Sequence, residues 1–202
     1  LQPIEATHPN TLIRELGLNL PADTIITTDV GQHQMWVAQS YPVRHPRTLL
    51  TSGGLGTMGF GLPAAIGAAW ANPGKKVVCF SGDGSILMNL QELATLADLK
   101  LDVTIVVLNN RHLGLVRQIQ QLFFERRYSA TVFESDPDFA LIAQGFGISG
   151  QRLDHPAASE LLALIKAPGP RLIDVRIATE VNVFPIVPAG KGNRDPQESE
   201  LL

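Results

Sequence analysis

Polar side chains follow two apolar, β-branched stretches of the sequence. Asp83 lies in the segment 81–85, Ser-Gly-Asp-Gly-Ser, directly after the stretch 77–80, and Asn-Asn at 109–110 follows the stretch 103–108. Carboxylate and amide oxygens suit Mg²⁺, which proteins usually hold with few ligands of their own together with phosphate oxygens of a bound molecule. If the two stretches are neighbouring parallel strands, these residues end side by side. Gly-Asp-Gly, 24 further residues and Asn-Asn therefore predict a magnesium site for a phosphate-bearing cofactor.

A second polar turn follows the first predicted strand, 24–28. Its residues include Asp29, Gly31, Gln32 and His33. Backbone N–H groups at the start of a helix, with the side chains of Gln32 and His33 as donors, would form an anion site. The same turn also fits a structural role, with Asp29 capping the helix and His33 as a hydrogen-bonded core histidine. The residues alone leave both interpretations open.

A glycine-rich turn occupies residues 52–61. Gly54, Gly56 and Gly59 form a Gly-x-Gly-x-x-Gly pattern before an Ala-rich segment, and Asp83 lies 24 residues beyond Gly59. This arrangement is close to a dinucleotide-binding fingerprint. The glycines could equally let a helix pack close to the sheet. A nicotinamide-dependent oxidoreductase domain therefore stays open as an alternative at this point.

The elements that must position these residues alternate along the chain. Apolar, β-branched runs predict strands, and apolar residues at helical spacing predict helices. The second and third long runs lack polar alternation, as expected for strands covered on both faces of a parallel sheet. We therefore expect an α/β fold, a doubly wound and mostly parallel sheet with helices on both faces and ligands at its carboxyl edge. The predicted strands are 24–28, 48–51, 76–80, 103–108 and 172–177, and the predicted helices are 61–70, 86–99, 113–124, 139–144 and 157–166.

Composition limits the classes of partner. The 202 residues are 45% hydrophobic and 17% charged, with a formal net charge of -3. Without a long block of like charge, this argues against a nucleic acid or a membrane surface as partner. No apolar run approaches the about 20 residues of a membrane span, and a lone cysteine, Cys79, in an apolar run suits a reducing compartment. We expect a cytoplasmic protein that binds a small molecule.

The ends of the chain differ from its middle. Residues 182–202 contain several prolines and glycines with little periodicity, which predicts an irregular C-terminal tail. Residues 1–181 are expected to form the α/β domain. Because the chain begins with Leu1 rather than Met, we also expect it to be part of a longer protein.

Four segments together carry a resemblance to a known family. The Gly-Asp-Gly to Asn-Asn pattern resembles the thiamine-diphosphate-binding motif, and 29–36, 52–65 and 183–188 resemble the carboxy-terminal domain of the acetolactate synthase (acetohydroxyacid synthase) catalytic subunit. The resemblance runs from about residue 10 to 195. It implies decarboxylation of pyruvate and carboligation to a second 2-keto acid in branched-chain amino acid biosynthesis. Thiamine diphosphate and Mg²⁺ are the implied cofactors, with FAD possible in the full-length enzyme, and a homodimer or homotetramer with a regulatory small subunit is the implied assembly.

The resemblance also implies roles for individual residues. Asp83, Asn110 and the main-chain oxygen of His112 would ligate Mg²⁺. Met58 would sit under the thiazolium and Gly56 would accept a hydrogen bond from the aminopyrimidine, which makes these two the implied catalytic positions. Leu115, Val116 and Ile119 match positions of the substrate pocket. The full implied cofactor-binding set is Gly31, Gln32, His33, Gly56, Met58, Gly82, Asp83, Gly84, Ser85, Asn110, Leu113, Gly114 and Leu115.

The chain departs from this family in two ways. Ile119 stands where the family usually carries a Trp associated with preference for 2-ketobutyrate, which leaves the acceptor keto acid open. The catalytic glutamate of the family lies in an amino-terminal domain that has no counterpart in these residues, so we expect this chain to be inactive alone. Another thiamine-diphosphate carboligase or decarboxylase, and a non-catalytic module with this fold, remain alternatives.

Overall fold

Six parallel strands form one sheet at the centre of the computed structural model, which describes residues 8–199. The strand order is β2-β1-β3-β4-β6-β5, so β3 and β4 are central neighbours. The strands are β1 Ile25–Thr28, β2 Leu49–Thr51, β3 Val77–Gly82, β4 Val103–Asn109, β5 Ser149–Asp154 and β6 Arg171–Arg176. The helices are α1 Pro9–Asn19, α2 Gln32–Ser40, α3 Gly61–Ala71, α4 Asp83–Ile86, α5 Glu92–Leu99, α6 Gly114–Phe123, α7 Phe139–Gly145 and α8 Ala158–Lys166.

Helices cover both faces of the sheet. Alternate residues of β3 enter two separate cores: Val77 and Cys79 pack with α3, α5 and α7, whereas Val78 and Phe80 pack with α1, α2 and α8. Every residue of β3 and β4 is buried, which explains why their sequences lack polar alternation. The predicted doubly wound α/β fold is confirmed.

The predicted helix 86–99 is wrong in its first half. The structure has the short α4, then turns over residues 87–91, and only then α5. Asn89 leaves the helical path because its side-chain amide donates to the carbonyl oxygen of Gly59 at 2.7 Å. This bond ties the turn after β3 to the glycine-rich segment.

The segment after β6 forms no named helix or strand up to residue 199, where the described part ends. It is nevertheless packed, since Val183 is fully buried in the core with α1, α2 and α8, and Ile186 pairs with Gln197 in an isolated bridge. Residues 1–7 of the expected domain and 200–202 of the expected tail lie outside the described residues. The division of the chain at residue 181 stays a prediction.

Among the helices of residues 8–199, none combines the length and apolar character needed to cross a bilayer.

Close packing between α3 and β1 generates a test of the fold. A Cβ atom at Gly61 would lie 2.8 Å from the backbone nitrogen of Asp29, and Thr27 donates to the Gly61 carbonyl at 2.9 Å. Because backbone cannot move cheaply, we expect Gly61→Ala to lower the free energy of unfolding by about 1–3 kcal/mol in urea titrations.

The matched control is Gly67→Ala on the same helix, where an added Cβ meets no atom within 4 Å. Helix propensity predicts no loss there and a gain of up to about 1 kcal/mol. Equal effects of the two substitutions would contradict the packing argument.

Candidate functional site

A pocket opens at the carboxyl edge of the sheet. It receives residues from the turns after β1, β3 and β4 and one from the glycine-rich segment, and most of the predicted site residues line it. Three lining residues, Val30, Trp36 and Leu108, were not predicted. The full lining is Val30, Gly31, Gln32, His33, Trp36, Met58, Gly82, Asp83, Gly84, Ser85, Leu108, Asn110, His112, Leu113, Gly114, Leu115 and Val116.

His33, near the start of α2, is buried at one wall of this pocket. Burial lowers the pKa of its imidazole to about 3, although a hydrogen bond to the backbone carbonyl of Asp29 raises it. The ring is neutral, and its Nε2 has no partner among the described residues. A Cβ atom at either Gly31 or Gly82 would come within 2.9 Å of the ring. The two glycines therefore make room for a histidine whose second nitrogen is left for a ligand.

Asp83 is the first residue of α4, directly after β3. Burial raises the pKa of its carboxyl to about 6, and the nearby backbone N–H groups of Gly84, Arg111 and His112 oppose that shift. The Oδ1 atom accepts from Gly84 at 2.9 Å, whereas Oδ2 is buried without a partner among residues 8–199. An oxygen in this state costs on the order of 1–3 kcal/mol unless something binds it. A cation would satisfy it.

Asn110 leaves β4 at the same edge. Because β3 and β4 are parallel with Gly82 opposite Leu108, the two strands deliver Asp83 and Asn110 to neighbouring positions. The amide of Asn110 donates to Gln32 Oε1 at 3.1 Å, and its Oδ1 accepts from the backbone N–H of His112 at 3.2 Å. The loop therefore folds back on itself beside the Asp83 carboxylate.

The donors at this edge fit a diphosphate-bound cation better than a metal held by protein alone. In the described part of the chain, no group of three or more His, Cys, Asp or Glu side chains could hold a metal ion. One carboxylate, one amide and a main-chain oxygen leave an octahedral Mg²⁺ incomplete, and phosphate oxygens would complete it.

A buried network of charged and amide side chains holds the loop after β4, and the sequence analysis did not predict it. Asp174 of β6 is fully buried between Arg152, which donates to it at 2.9 Å, and Asn109, whose amide donates at 2.9 Å. Asn109 Oδ1 in turn accepts from Arg176 and from the backbone N–H of Arg111. The signal in the sequence was an acidic residue inside an apolar run, Leu-Ile-Asp-Val, which is unusual for a central strand.

Asp29 does not cap α2, so that interpretation is wrong. The N-cap residue is Gly31, and no side chain caps this helix. Asp29 Oδ1 instead accepts from the backbone N–H groups of Val30 at 3.0 Å and Gly59 at 2.7 Å. The carboxylate thus anchors the glycine-rich segment to the end of β1.

Met58 is the residue that the glycine-rich segment contributes to the pocket. Gly54 is exposed and a Cβ atom added there would meet nothing within 4 Å, and Gly56, with φ +62°, does not line the pocket. The pattern therefore does not form the wall of the pocket, as a dinucleotide-binding turn would. The role expected for the Gly56 carbonyl stays a prediction.

Ile119 lies on the exposed side of α6, outside the main pocket. It lines a neighbouring apolar groove that shares Leu115 with the pocket, so it lies near the other residues predicted for the substrate pocket. The groove is lined by Met35, Leu115, Gln118, Ile119, Leu122, Phe123, Phe124, Ile186, Val187, Pro188 and Ala189.

Burial of Asp83 predicts a pH-dependent cost in stability. In the unfolded chain its pKa is about 3.9, below the value of about 6 in the folded chain. The folded state therefore binds more protons between these values, so stability falls as the pH rises from about 4 to about 6. Without added metal, we expect Asp83→Asn to raise the free energy of unfolding at pH 7.5 by about 1–3 kcal/mol, measured in urea.

The gain should shrink as the pH is lowered below about 6 and disappear at about pH 3, where the carboxyl is protonated in both states. Asp98→Asn, on the exposed surface of α5, is the matched control and should show no comparable gain. A loss of stability for Asp83→Asn at pH 7.5 would refute the argument.

Comparisons with known proteins agree with this geometry. The family model described as "Thiamine pyrophosphate enzyme, C-terminal TPP binding domain" matches residues 29–175. The chain is 53% identical over 186 residues to the acetolactate synthase isozyme 1 large subunit of Escherichia coli (strain K12), covering 91% of the chain and 33% of that protein. It is 48% identical over 198 residues to the isozyme 2 large subunit of the same organism (97% and 36%), and 48% identical over 184 residues to the acetolactate synthase large subunit of Lactococcus lactis subsp. lactis (strain IL1403) (91% and 32%).

The chain spans about a third of the length of these relatives. The model of the thiamine pyrophosphate family covers most of the chain, from the turn after β1 to β6. The diphosphate of this family's cofactor suits a pocket with a buried, unpartnered carboxylate oxygen. The chain therefore belongs to the family of C-terminal TPP-binding domains of thiamine pyrophosphate enzymes.

Proposed function

We propose that this chain holds the diphosphate and the Mg²⁺ of thiamine diphosphate for an acetolactate synthase. The observation that carries the proposal is a carboxylate oxygen, Asp83 Oδ2, that is buried without a partner at the pocket. A cation bound to the oxygens of a diphosphate would satisfy it. A purely structural turn gives no reason to leave such an oxygen unpaired.

Asp83, Asn110 and the main-chain oxygen of His112 would hold the cation. Gly31, Gln32 and His33 at the start of α2, with Gly84 and Ser85 of α4, would hold the diphosphate. Gln32 and His33 would do so through backbone N–H groups and not through the side chains predicted as donors. The Gln32 NH₂ group already donates to two acceptors, and the neutral His33 ring leaves an acceptor at Nε2. Space there depends on the absence of side chains, since a Cβ atom at Gly84 would lie 2.7 Å from Leu113. Both helices present backbone N–H groups toward this edge, which suits an anion.

When bound, thiamine diphosphate supplies an electron sink that lets a 2-keto acid lose its carboxylate. Met58 would hold the cofactor in its bent conformation, and the Gly56 carbonyl would accept a hydrogen bond from the aminopyrimidine. Leu115 and Val116 form an apolar wall at the pocket, which would exclude water from the reacting carbon. Ile119, 41% exposed, would border the space for the acceptor.

The reaction proposed for the whole enzyme is decarboxylation of pyruvate followed by carboligation to a second 2-keto acid, in branched-chain amino acid biosynthesis. A longer polypeptide, a homodimer or homotetramer, a regulatory small subunit and FAD belong to the same proposal. Because Ile119 replaces the usual Trp, the acceptor is not assigned. Another thiamine-diphosphate carboligase or decarboxylase is the second candidate, favoured by this substitution.

Calorimetric titration tests the cofactor. We expect thiamine diphosphate to bind the chain with Mg²⁺ and to lose at least about tenfold in affinity without it, because the cation links Asp83 to the phosphate oxygens. Asp83→Ala should abolish the Mg²⁺-dependent part. NADH is the control ligand and should not bind; binding of NADH but not thiamine diphosphate would favour the oxidoreductase alternative.

A second prediction concerns activity. No glutamate lines the pocket in the part of the chain that the structure describes, so the group that would protonate the pyrimidine ring is absent there. We expect the purified chain, loaded with Mg²⁺ and thiamine diphosphate, to form no acetolactate from pyruvate. Sustained acetolactate production in a colorimetric assay would overturn this expectation.

A further inference from the structure

We propose that Gln118 is a positioning residue for the magnesium site: acting through Gln32, and together with the backbone N–H of His112, it fixes which atom of the Asn110 amide is left for the cation. The inference rests on the proposed function and extends it to a residue that does not touch the cofactor. Gln118 lies on α6 and is 1% exposed. Its importance follows from hydrogen bonds that run from the backbone of Val183 to Asn110.

The starting point is an amide whose orientation is fixed by backbone. A glutamine amide can turn by 180° with little change in shape, so only its partners decide where the oxygen lies. Val183 donates its N–H to Gln118 Oε1 at 2.8 Å, and Gln118 Nε2 donates to the Val183 carbonyl at 2.9 Å. A backbone N–H and C=O cannot exchange roles. The orientation of the Gln118 amide is therefore determined.

The second amide inherits its orientation from the first. Gln118 Oε1 also accepts from Gln32 Nε2 at 2.9 Å, and the same Nε2 donates to the carbonyl of Val181 at 3.2 Å. Two acceptors thus face one end of the Gln32 side chain and require its NH₂ group there. Gln32 Oε1 must then point the other way, toward Asn110.

The third amide is that of the proposed metal ligand. Asn110 Nδ2 donates to Gln32 Oε1 at 3.1 Å, so its NH₂ group is already used. We call the hydrogen-bonded amides of Gln118, Gln32 and Asn110 the relay. The atom left over is Oδ1, which accepts from the backbone N–H of His112 and keeps a second lone pair. Mg²⁺ binds oxygen. The relay therefore leaves the correct atom for the cation, whereas the opposite orientation would leave an NH₂ group.

Packing supports the relay independently. Gln32 and Asn110 are 5% and 6% exposed, so water does not compete for these bonds. A Cβ atom at Gly114 would lie 2.1 Å from Gln32 Oε1 and 2.7 Å from Asn110 Nδ2. A residue other than glycine at the start of α6 would displace the relay.

The test is Gln118→Met, which keeps the length of the side chain and removes both hydrogen-bonding atoms. Mg²⁺ is titrated by calorimetry into the full chain at a fixed concentration of thiamine diphosphate. We expect the apparent dissociation constant for Mg²⁺ to rise about tenfold, the lower end of the range for groups that hydrogen-bond to a metal ligand, because Gln118 acts through Gln32. Gln121→Met, on the same helix, removes an amide that accepts a hydrogen bond from Arg117 and should leave the constant within about threefold.

A double-mutant cycle separates orientation from general stability. In the Asn110→Asp background, either orientation of the side chain presents an oxygen, so orientation no longer matters. We expect Gln118→Met to raise the Mg²⁺ constant by less than about threefold there. A loss of similar size in both backgrounds would indicate a merely structural role and overturn the inference.

The conservative variant Gln118→Glu, with its buried carboxyl protonated, keeps an accepting oxygen for Gln32 and an O–H donor for the Val183 carbonyl. It should then retain the Mg²⁺ dependence of the wild type, even if Gln118→Met does not fold. Loss of that dependence in a folded Gln118→Glu chain would contradict the inference. If Gln118→Met binds Mg²⁺ with wild-type affinity, this inference is wrong while the proposed function still stands. Failure of the wild-type chain to bind thiamine diphosphate with Mg²⁺ would instead overturn the proposed function, and this inference with it.

Discussion

Parallel pairing of β3 with β4 is the constraint on which the candidate site depends. The pairing runs from Val77 opposite Val103 to Gly82 opposite Leu108, so both strands end at one edge. Asp83 therefore meets the backbone N–H groups of the loop after β4 without any long-range adjustment. The same pairing buries the carboxylate and leaves one of its oxygens unpartnered. The feature that would bind the cation is thus also the feature that destabilises the folded chain, a common compromise at functional sites.

The loop after β4 needs support because it is strained. Arg111 has φ +61°, a conformation that residues other than glycine rarely adopt. Its N–H is bonded to Asn109 Oδ1, and Asn109 is held by the buried Asp174. An ion pair inside the sheet would be a weak source of stability by itself, since burying charge is costly. The position of this ion pair next to a strained loop, which it holds through Asn109, explains its presence better than a contribution to stability does.

Local signals of the sequence predicted much of the fold and of the site. Buried strands lack polar alternation, and the Gly-Asp-Gly to Asn-Asn spacing lies within one β-α-β unit, so both could be recognised. The polar edge strand β5 is mostly exposed and carries no apolar run, and α1 was not recognised either. Contacts between distant residues left no local trace, as with Asp29 and Gly59 or with Gln32 and Val181. The role of a residue such as Gln118 emerges only once the fold has brought these positions together.

The segment after β6 shows why position in the sequence is a poor guide to function. Its sequence predicts an irregular tail, yet the N–H and C=O of Val183 supply a fixed reference at one end of a chain of amides that can otherwise turn over. Glutamine and asparagine suit this task because each amide has a donor end and an acceptor end, so orientation passes from one to the next without burying charge. A charged residue at these positions would change the electrostatic potential at the cation, and an apolar residue could not orient the next amide. The backbone of residues 181–183 therefore belongs to the site as much as the strand ends do.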